Sequence, residues 1–243
     1  NKMPARTQIW KGAGDRMRLI AMTTDENEGK VIITTTHSDS VSKSSVETGY
    51  TVDSDGAIKI KRQINITDNS LPEIPRIGVK FSLNGDFKNV SWFGRGPHES
   101  YWDRKQSAAI GFYSGSVWDQ TFQYVRPQET GNKTDVYWMA LETDKAGLMA
   151  IGLPQFDGSV HQYPYEDLDY YPGSQKHGKL DIVSKNQTDW LIDYKQMGVG
   201  GDNSWGAKPM KKYTLYPGIY EHSFILIPYR VGSDLNRVSK RRI

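Results

Sequence analysis

Carboxylates in glycine- and proline-bounded loops are the first residues of this sequence that could do chemistry. Glu99 follows the run G-R-G-P-H at 94–98, and Glu129 lies in the run P-Q-E-T-G at 127–131. Two carboxylates can hydrolyse a glycosidic bond if the fold holds them a fixed distance apart. Spacing along the chain does not show that distance. The alternative is that each carboxylate accepts backbone or arginine hydrogen bonds that fix its loop, and we favour this structural role for both.

The histidines do not indicate a metal site. The five are His37, His98, His161, His177 and His222. No two lie three or four positions apart, and no cysteine is present to complete a zinc site. A serine nucleophile is not indicated, because no G-x-S-x-G run occurs. The run G-V-G-G at 198–201 lacks a phosphate-binding fingerprint. We predict no metal ligand in this chain.

Trp205 is the most suggestive binding residue. It lies in the run 198–206, which is rich in glycine and in the turn formers Asp, Asn and Ser. Flat aromatic rings dock against the apolar C–H faces of sugars, while polar neighbours bind the hydroxyl groups. The residues alone leave two readings open, an exposed binding ring and a ring packed over the end of the fold. Three other tryptophans lie in strand patterns that predict core positions: Trp92, Trp138 and Trp190.

The elements that must position these residues are strands. Ile, Val and Thr number 47 against 22 for Ala and Leu, and Gly and Pro add 34. This balance favours strands joined by tight turns over a helical bundle. The turn D-S-D-G at 53–56 between the strand patterns 45–52 and 57–66 predicts a hairpin. Alternating isoleucines in the second of these predict one buried face. Further strands are predicted at 31–36, 77–83, 136–142, 147–153, 190–194 and 220–227.

The chain shows no linker, internal repeat or heptad, so we predict one domain over 1–243 with its core at about 15–230. Residues 164–170 predict a helix of at most two turns, with Pro near its start and Pro-Gly just beyond. The basic tail 237–242 is expected to be frayed and solvated. We predict an all-β fold, with many strands packed as a large antiparallel sandwich of two sheets.

Charge and hydropathy exclude several classes of protein. The net charge is +3, which is too small to indicate nucleic-acid binding. No stretch approaches ~18 consecutive apolar residues, so no transmembrane helix and no membrane partner is expected. The absence of cysteine excludes a disulfide scaffold and a thiol nucleophile but leaves the compartment open.

Three loops together resemble a known family, the C-terminal or small-chain domain of glycoside hydrolase family 2 β-galactosidases. Residues 94–104, G-R-G-P-H-E-S-Y-W-D-R, resemble its stretch G-x-G-P-x-E-x-Y-x-D-R. Residues 124–131, Y-V-R-P-Q-E-T-G, are similar to its Y-x-x-P-x-E-x-G loop, and 197–205, M-G-V-G-G-D-N-S-W, resemble its M-G-x-G-G-D-x-S-W loop. Asn203 stands where a familiar member has Asp, and Tyr137 stands where Arg is common.

The resemblance implies a supersandwich related in fold to galactose mutarotases, placed as the last of five domains beside a TIM barrel. In the family that barrel carries both catalytic glutamates and the main Mg²⁺ ligands, with Na⁺ as a weaker implication, and a barrel of about 250 residues has no room here. We therefore expect no catalytic residue and no cofactor in this chain. Trp205 matches the family tryptophan that stacks on the substrate sugar, and Asp202 and Asn203 are expected to shape its loop.

For the parent polypeptide, the resemblance implies hydrolysis of terminal β-D-galactosides, of the lactose type, with retention. Its partners would be the galactoside and the remaining domains, in a homo-oligomer. Two alternatives stay open. One is an aldose 1-epimerase-like enzyme, with His98 or His161 as acid and Glu99 or Glu166 as base. The other is a free-standing carbohydrate-binding module that binds sugar through Trp205.

Overall fold

The computed structural model describes residues 3–169, 181–203 and 205–243. Antiparallel strands dominate these residues. The strands are β1 (Arg18–Asn27), β2 (Lys30–Asp39), β3 (Ser44–Val52), β4 (Ile58–Ile66), β5 (Arg76–Asn84), β6 (Asn89–Gly96), β7 (Ala109–Ser116), β8 (Lys133–Glu142), β9 (Ala146–His161), β10 (Gln187–Gln196) and β11 (Ile219–Arg230). The helices are α1 (Met3–Arg6), α2 (Ala13–Arg16) and α3 (Leu235–Val238), with 3₁₀ turns at Gln8–Trp10, Trp118–Gln120, Tyr165–Leu168 and Lys211–Tyr213. The predicted all-β class is confirmed.

The strands form one branched hydrogen-bonded network folded into two layers. The large layer has the order β1-β2-β3-β4-β11-β9-β8-β6-β7, and β10 with β5 joins it through β9. β9 serves both layers, because residues 146–152 pair with β11 and residues 157–161 pair with β10. Between these halves a Cβ on Gly152 would lie 2.6 Å from the Cα of Gln155. The strand therefore bends tightly there, which carries the chain from one layer into the other.

The largest core cluster lies between the layers. Trp190 and Ile192 of β10 pack with Trp92 of β6, Met139 of β8 and Phe224 of β11, and all five side chains are buried. Burying a large side chain of this kind stabilises the fold by about 1.5–3 kcal/mol relative to leaving it exposed. The sequence prediction of core positions is confirmed for the three strand tryptophans, which are 0–6% exposed: Trp92, Trp138 and Trp190.

The strand predictions are confirmed in type and corrected in extent. The hairpin at 53–56 joins β3 to β4, and Gly56 supplies the positive φ of 83°. β9 is 16 residues long, because it bends and continues in the second layer where the prediction ended at residue 153. Residues 94–96 were expected in a loop but form the end of β6, where they pair with β7. The two layers are continuous through β9 rather than separate sheets.

The expectation of a frayed C-terminal tail is wrong. Val238 and Ile243 pack against a second buried cluster on the outer face of the large layer. Arg241 forms ion pairs with Asp53 and Asp55 in the β3–β4 turn. Apolar contacts and charge pairing thus fix a segment whose basic composition suggested solvation.

The predicted short helix is a single 3₁₀ turn, Tyr165–Leu168, which follows Pro164. The residues proposed to end it, Pro172 and Gly173, lie outside the described residues, as does Tyr170. Among the described residues, no helix combines the length and apolar character needed to cross a bilayer.

Candidate functional site

The loop that carries Trp205 begins where β10 ends. The amide of Met197 donates to the carbonyl of Pro75 at 3.0 Å, and the amide of Gly198 donates to the carbonyl of Tyr213 at 2.7 Å. The loop then leaves the body of the fold, and the Trp205 side chain is 94% exposed. An indole with that exposure has nearly its whole surface free for a ligand or a neighbouring protein surface.

The loop backbone uses conformations that favour glycine. Gly200, Gly201 and Gly206 have φ values of 71°, 100° and 83°, in the left-handed region where a Cβ is costly. Asn203 holds the tip, because its Oδ1 accepts hydrogen bonds from the amides of Trp205 at 2.9 Å and Ala207 at 3.3 Å. This arrangement is the local turn that short amide side chains favour.

The residues around Asn203 complete the sequence-predicted site. Asp202 is exposed beside it, so its carboxylate is open to solvent at the tip. Ser204, the remaining residue of the third motif, lies outside the described residues. The structure therefore places Trp205, Asp202 and Asn203 together on one exposed turn.

Asp103, in the first motif, holds the base of this loop. Its Oδ1 accepts a hydrogen bond from the amide of Val199 at 3.0 Å, and its Oδ2 accepts one from the amide of Gly200 at 2.8 Å. The approach is so close that a Cβ on Gly198 would lie 2.5 Å from Asp103 Oδ2. Glycine is therefore required at position 198 for the carboxylate to reach both amides. The sequence reasoning missed Asp103, and no spacing signal connects it to a loop so distant in the chain.

An aromatic contact supports the same junction. Trp102 meets Tyr213 edge-on, with ring centroids 5.8 Å apart, and Lys195 places its ammonium 4.7 Å from the Trp102 ring centroid. Since the Tyr213 carbonyl accepts the Gly198 amide, Trp102 packs against the residue that anchors the start of the loop.

Glu99 fixes the second motif to the first. Its Oε1 accepts hydrogen bonds from Arg104 Nη2 at 2.6 Å and from the Tyr124 hydroxyl, and its Oε2 accepts one from the Gly131 amide at 2.9 Å. Both oxygens are thus used within the protein, and the arginine and backbone hydrogen bonds expected of Glu99 are present.

Glu129 is held in a similar way, by an arginine whose own side chain is 17% exposed. Its Oε2 accepts hydrogen bonds from Arg76 Nη2 at 2.9 Å and from the Tyr165 hydroxyl. Arg76 also pairs through Nε with Asp193 Oδ2 at 3.0 Å. Burial raises the pKa of the Tyr165 hydroxyl well above its usual value, so this group stays a hydrogen-bond donor. The arginine hydrogen bond expected of Glu129 is therefore present.

Each of the four residues of the epimerase alternative is buried or already has a partner within the protein. His161 is fully buried, and burial followed by the charge of Arg76 lowers its pKa to about 3. His98 is exposed, and its Nε2 lies 3.0 Å from the Ser107 hydroxyl. Glu166 is paired with Lys80 at 2.5 Å. A neutral, enclosed imidazole is poorly suited to donate a proton to a sugar.

The next feature is the arrangement of side chains that could bind a metal ion, in the part of the chain that the structure describes. Within it, no group of three or more His, Cys, Asp or Glu side chains is arranged to hold an ion. His177 lies outside the described residues.

Two kinds of sequence comparison, with a family model and with individual proteins, agree with each other. The protein-family model of the β-galactosidase small chain matches residues 1–226. A β-galactosidase of Priestia megaterium is 38% identical over 94% of this chain and 22% of its own length. A β-galactosidase of Halalkalibacterium halodurans is 30% identical over 85% of this chain and 20% of its own. The chain thus spans about a fifth of the length of these curated relatives.

Among solved structures, galactose 1-epimerase from Lactobacillus acidophilus NCFM is similar over 86% of this chain and 66% of its own. The TM-score is 0.44 and the sequence identity is 9%.

Proposed function

Because this chain belongs to the β-galactosidase small-chain family, we propose that it is the C-terminal domain of a polypeptide that hydrolyses terminal β-D-galactosides with retention. In this proposal the domain packs beside a catalytic barrel and contributes Trp205 to one wall of the sugar site. The relatives are about five times longer than the matched region, which leaves room for such a barrel.

The observation that carries the proposal is the exposure of Trp205 on a turn with a defined backbone. A ring packed over the end of the sandwich would be buried, whereas this indole is 94% exposed. Pairs of aromatic rings contribute about 0.5–1.5 kcal/mol beyond the area they bury, and we expect a contribution of the same order from an indole stacked on a sugar face. It therefore assists binding of the leaving-group sugar more than it assists cleavage of the glycosidic bond.

The proposal assigns the bond-breaking carboxylates to the parent's other domains. Retaining hydrolysis needs two carboxyl groups about 5–5.5 Å apart, one of them free to attack the sugar. Glu99 and Glu129, the two loop candidates here, are each paired with an arginine and a tyrosine. A carboxylate committed in this way is a poor nucleophile. In this proposal any Mg²⁺ of the parent would be held by its other domains.

The two neighbours of Trp205 have different parts in the proposal. Asn203 holds the backbone that presents the ring. Asp202 is exposed at the same tip, where its oxygens can accept hydrogen bonds from sugar hydroxyl groups. A sugar stacked on the indole would thus find one apolar face and one polar edge.

Kinetics of the complete polypeptide that carries this chain test the proposal. Trp205→Ala should raise KM for lactose about 10-fold, corresponding to a loss of about 1.4 kcal/mol, with a smaller change in kcat. Trp205→Phe should restore part of the affinity. Phe112→Ala is the matched control, because Phe112 is also an exposed ring, at 61%, but lies on β7. An unchanged KM in Trp205→Ala contradicts the proposed contact.

Calorimetric titration of the isolated 243-residue chain with galactose and lactose separates this proposal from a free-standing binding module. One wall of a shared pocket should give no saturable binding at millimolar sugar. Saturable binding that Trp205→Ala abolishes would instead favour the module. Acceleration of α-galactose mutarotation by the chain, followed by polarimetry, would favour the epimerase.

A further inference from the structure

We propose that Asp103 is a positioning residue for Trp205: its carboxylate fixes the base of the loop 198–206 and thereby sets where the indole stands. The inference rests on the proposed function, because it assumes that the position of the Trp205 ring matters for the sugar. Asp103 itself need not touch the ligand.

The geometry of the carboxylate supports this role. Each of its two oxygens accepts a different backbone amide, Val199 at 3.0 Å and Gly200 at 2.8 Å. Hydrogen bonds from backbone amides to an ionised carboxylate are stronger than neutral ones. Two such bonds to consecutive amides fix both the distance and the orientation of the peptide between them. A single acceptor would leave that peptide free to rotate.

The loop needs an external restraint at this point. Three of the four residues at 198–201 are glycine, and glycine has the largest backbone freedom of any residue. Gly201 has open space where a Cβ would stand, so side-chain packing does not restrict it. Asn203 orders the tip, but its hydrogen bonds are local to residues 205 and 207. Asp103 supplies side-chain bonds that tie the loop to a distant part of the chain.

The segment that carries Asp103 is rigid enough to act as a reference point. The Ser100 amide donates to the Asn132 carbonyl at 2.8 Å, and the Asn132 side chain donates back to the Ser100 carbonyl at 2.9 Å. Tyr101 and Arg104 exchange backbone hydrogen bonds at 3.0 and 2.8 Å, and Tyr101 is 1% exposed. Asp103 therefore projects from a tight turn anchored to the start of β8.

The first motif thereby joins the other two through two acidic side chains. Glu99 accepts the Gly131 amide of the second motif, and Asp103 accepts the Val199 and Gly200 amides of the third. A change at either carboxylate can alter a loop that lies far from it in sequence.

Fluorine NMR on the isolated chain labelled with 5-fluorotryptophan tests the structural half of the inference. The Trp205 resonance is identified by its loss in Trp205→Phe. In Asp103→Ala this resonance should shift and narrow as the loop becomes mobile, while the Trp92 and Trp190 resonances stay unchanged. Asp103→Asn, which keeps one acceptor oxygen, should give an intermediate result.

Asp86→Asn is the matched control. Asp86 is an exposed aspartate that follows the C-terminal end of β5, whereas the start of the Trp205 loop bonds to Pro75, just before the N-terminal end of β5. An unchanged Trp205 resonance in both Asp103 variants would overturn the inference.

Steady-state kinetics of the complete polypeptide test the functional half. Asp103→Ala should raise KM for lactose ~3- to 10-fold, bounded by the effect of Trp205→Ala, with a smaller change in kcat. In the Trp205→Ala background Asp103→Ala should add nothing further, because the two residues act through the same contact. A KM effect that persists in that background would contradict positioning through Trp205.

The two failures can be told apart. If Trp205→Ala raises KM and Asp103→Ala does not, the positioning role fails while the proposed function stands. If the NMR signal responds in Asp103→Ala but neither variant changes KM, the proposed sugar contact fails, and with it the functional half of the inference.

Discussion

Trp190 and Trp205 show how two regions of this molecule use the same side chain. Trp190, on β10, is 0% exposed, lies with its ring centroid 6.4 Å from that of Phe81, and directs its indole N–H to Met139 Sδ at 3.3 Å. Trp205 stands on the turn that follows the same strand and is 94% exposed. The interior region uses the indole to fill space, whereas the loop presents it with most of its surface uncovered.

In this fold, the residues that hold the loop are therefore separate from the exposed ring that the loop carries. In the interior, contacts on all sides of a residue define its position. In the loop, the backbone alone is fixed, through the Tyr213 carbonyl and the side-chain acceptors of Asp103 and Asn203. Changes in the interior should therefore alter stability strongly, and changes at the tip should alter binding with little effect on folding.

The largest expected effect is on the interior ring. Trp190→Ala should lower the free energy of unfolding by about 3–5 kcal/mol, because it removes a large buried side chain and leaves a cavity between the layers. Urea denaturation of the isolated chain, followed by circular dichroism, measures the loss. A loss below about 1 kcal/mol would mean that the layers close around the cavity or that the core is not centred on Trp190.

Lowering the pH should have a smaller effect on the free energy of unfolding, through the buried side chain of His161 at the end of β9. Burial, and then the charge of Arg76, lowers the pKa of His161 to about 3. The folded state therefore holds His161 neutral, whereas the unfolded state takes up a proton below about pH 6.5. The contribution to stability is present above that pH and is lost as the pH falls toward 3.

For this group the free energy of unfolding should fall by at most about 1.4 kcal/mol per pH unit below pH 6.5. His161→Phe should remove that part of the slope, as measured by urea denaturation at pH 7, 6 and 5. His222, whose pKa burial lowers to about 4, supplies a remaining slope of the same sign. Identical slopes in the variant and the original chain would show that His161 is not held neutral.

The smallest expected effect is at the loop tip. Trp205→Ala should change the free energy of unfolding by no more than about 0.5 kcal/mol, because an exposed side chain has few contacts to lose. The same denaturation measurement gives the direct comparison with Trp190→Ala. A loss of 2 kcal/mol or more would show that the ring packs against the protein in solution.

Much of the framework was predictable from sequence because it depends on local periodicity. Ile60, Ile64 and Ile66 alternate along β4 and are buried as predicted. The hairpin at 53–56 follows from its turn residues. The length of β9 was not predictable, since its second half is defined by pairing with β10 across the bend near Gly152. The packing of the C-terminal tail depends in the same way on a partner surface distant in the chain.

The same distinction between local and long-range determinants applies to the candidate site. The turn-forming composition of 198–206 and the family motifs by themselves determined that a tryptophan stands on a glycine-rich loop, because conformational preference and motif order are local properties of the chain. The exposure of that ring, and the acceptors that hold its loop, could not be predicted because they depend on contacts between segments distant in the chain. Whether an indole lies inside or outside depends on which neighbours the fold brings to it, and Asp103 reaches Val199 and Gly200 only after β10 and the first motif are placed side by side.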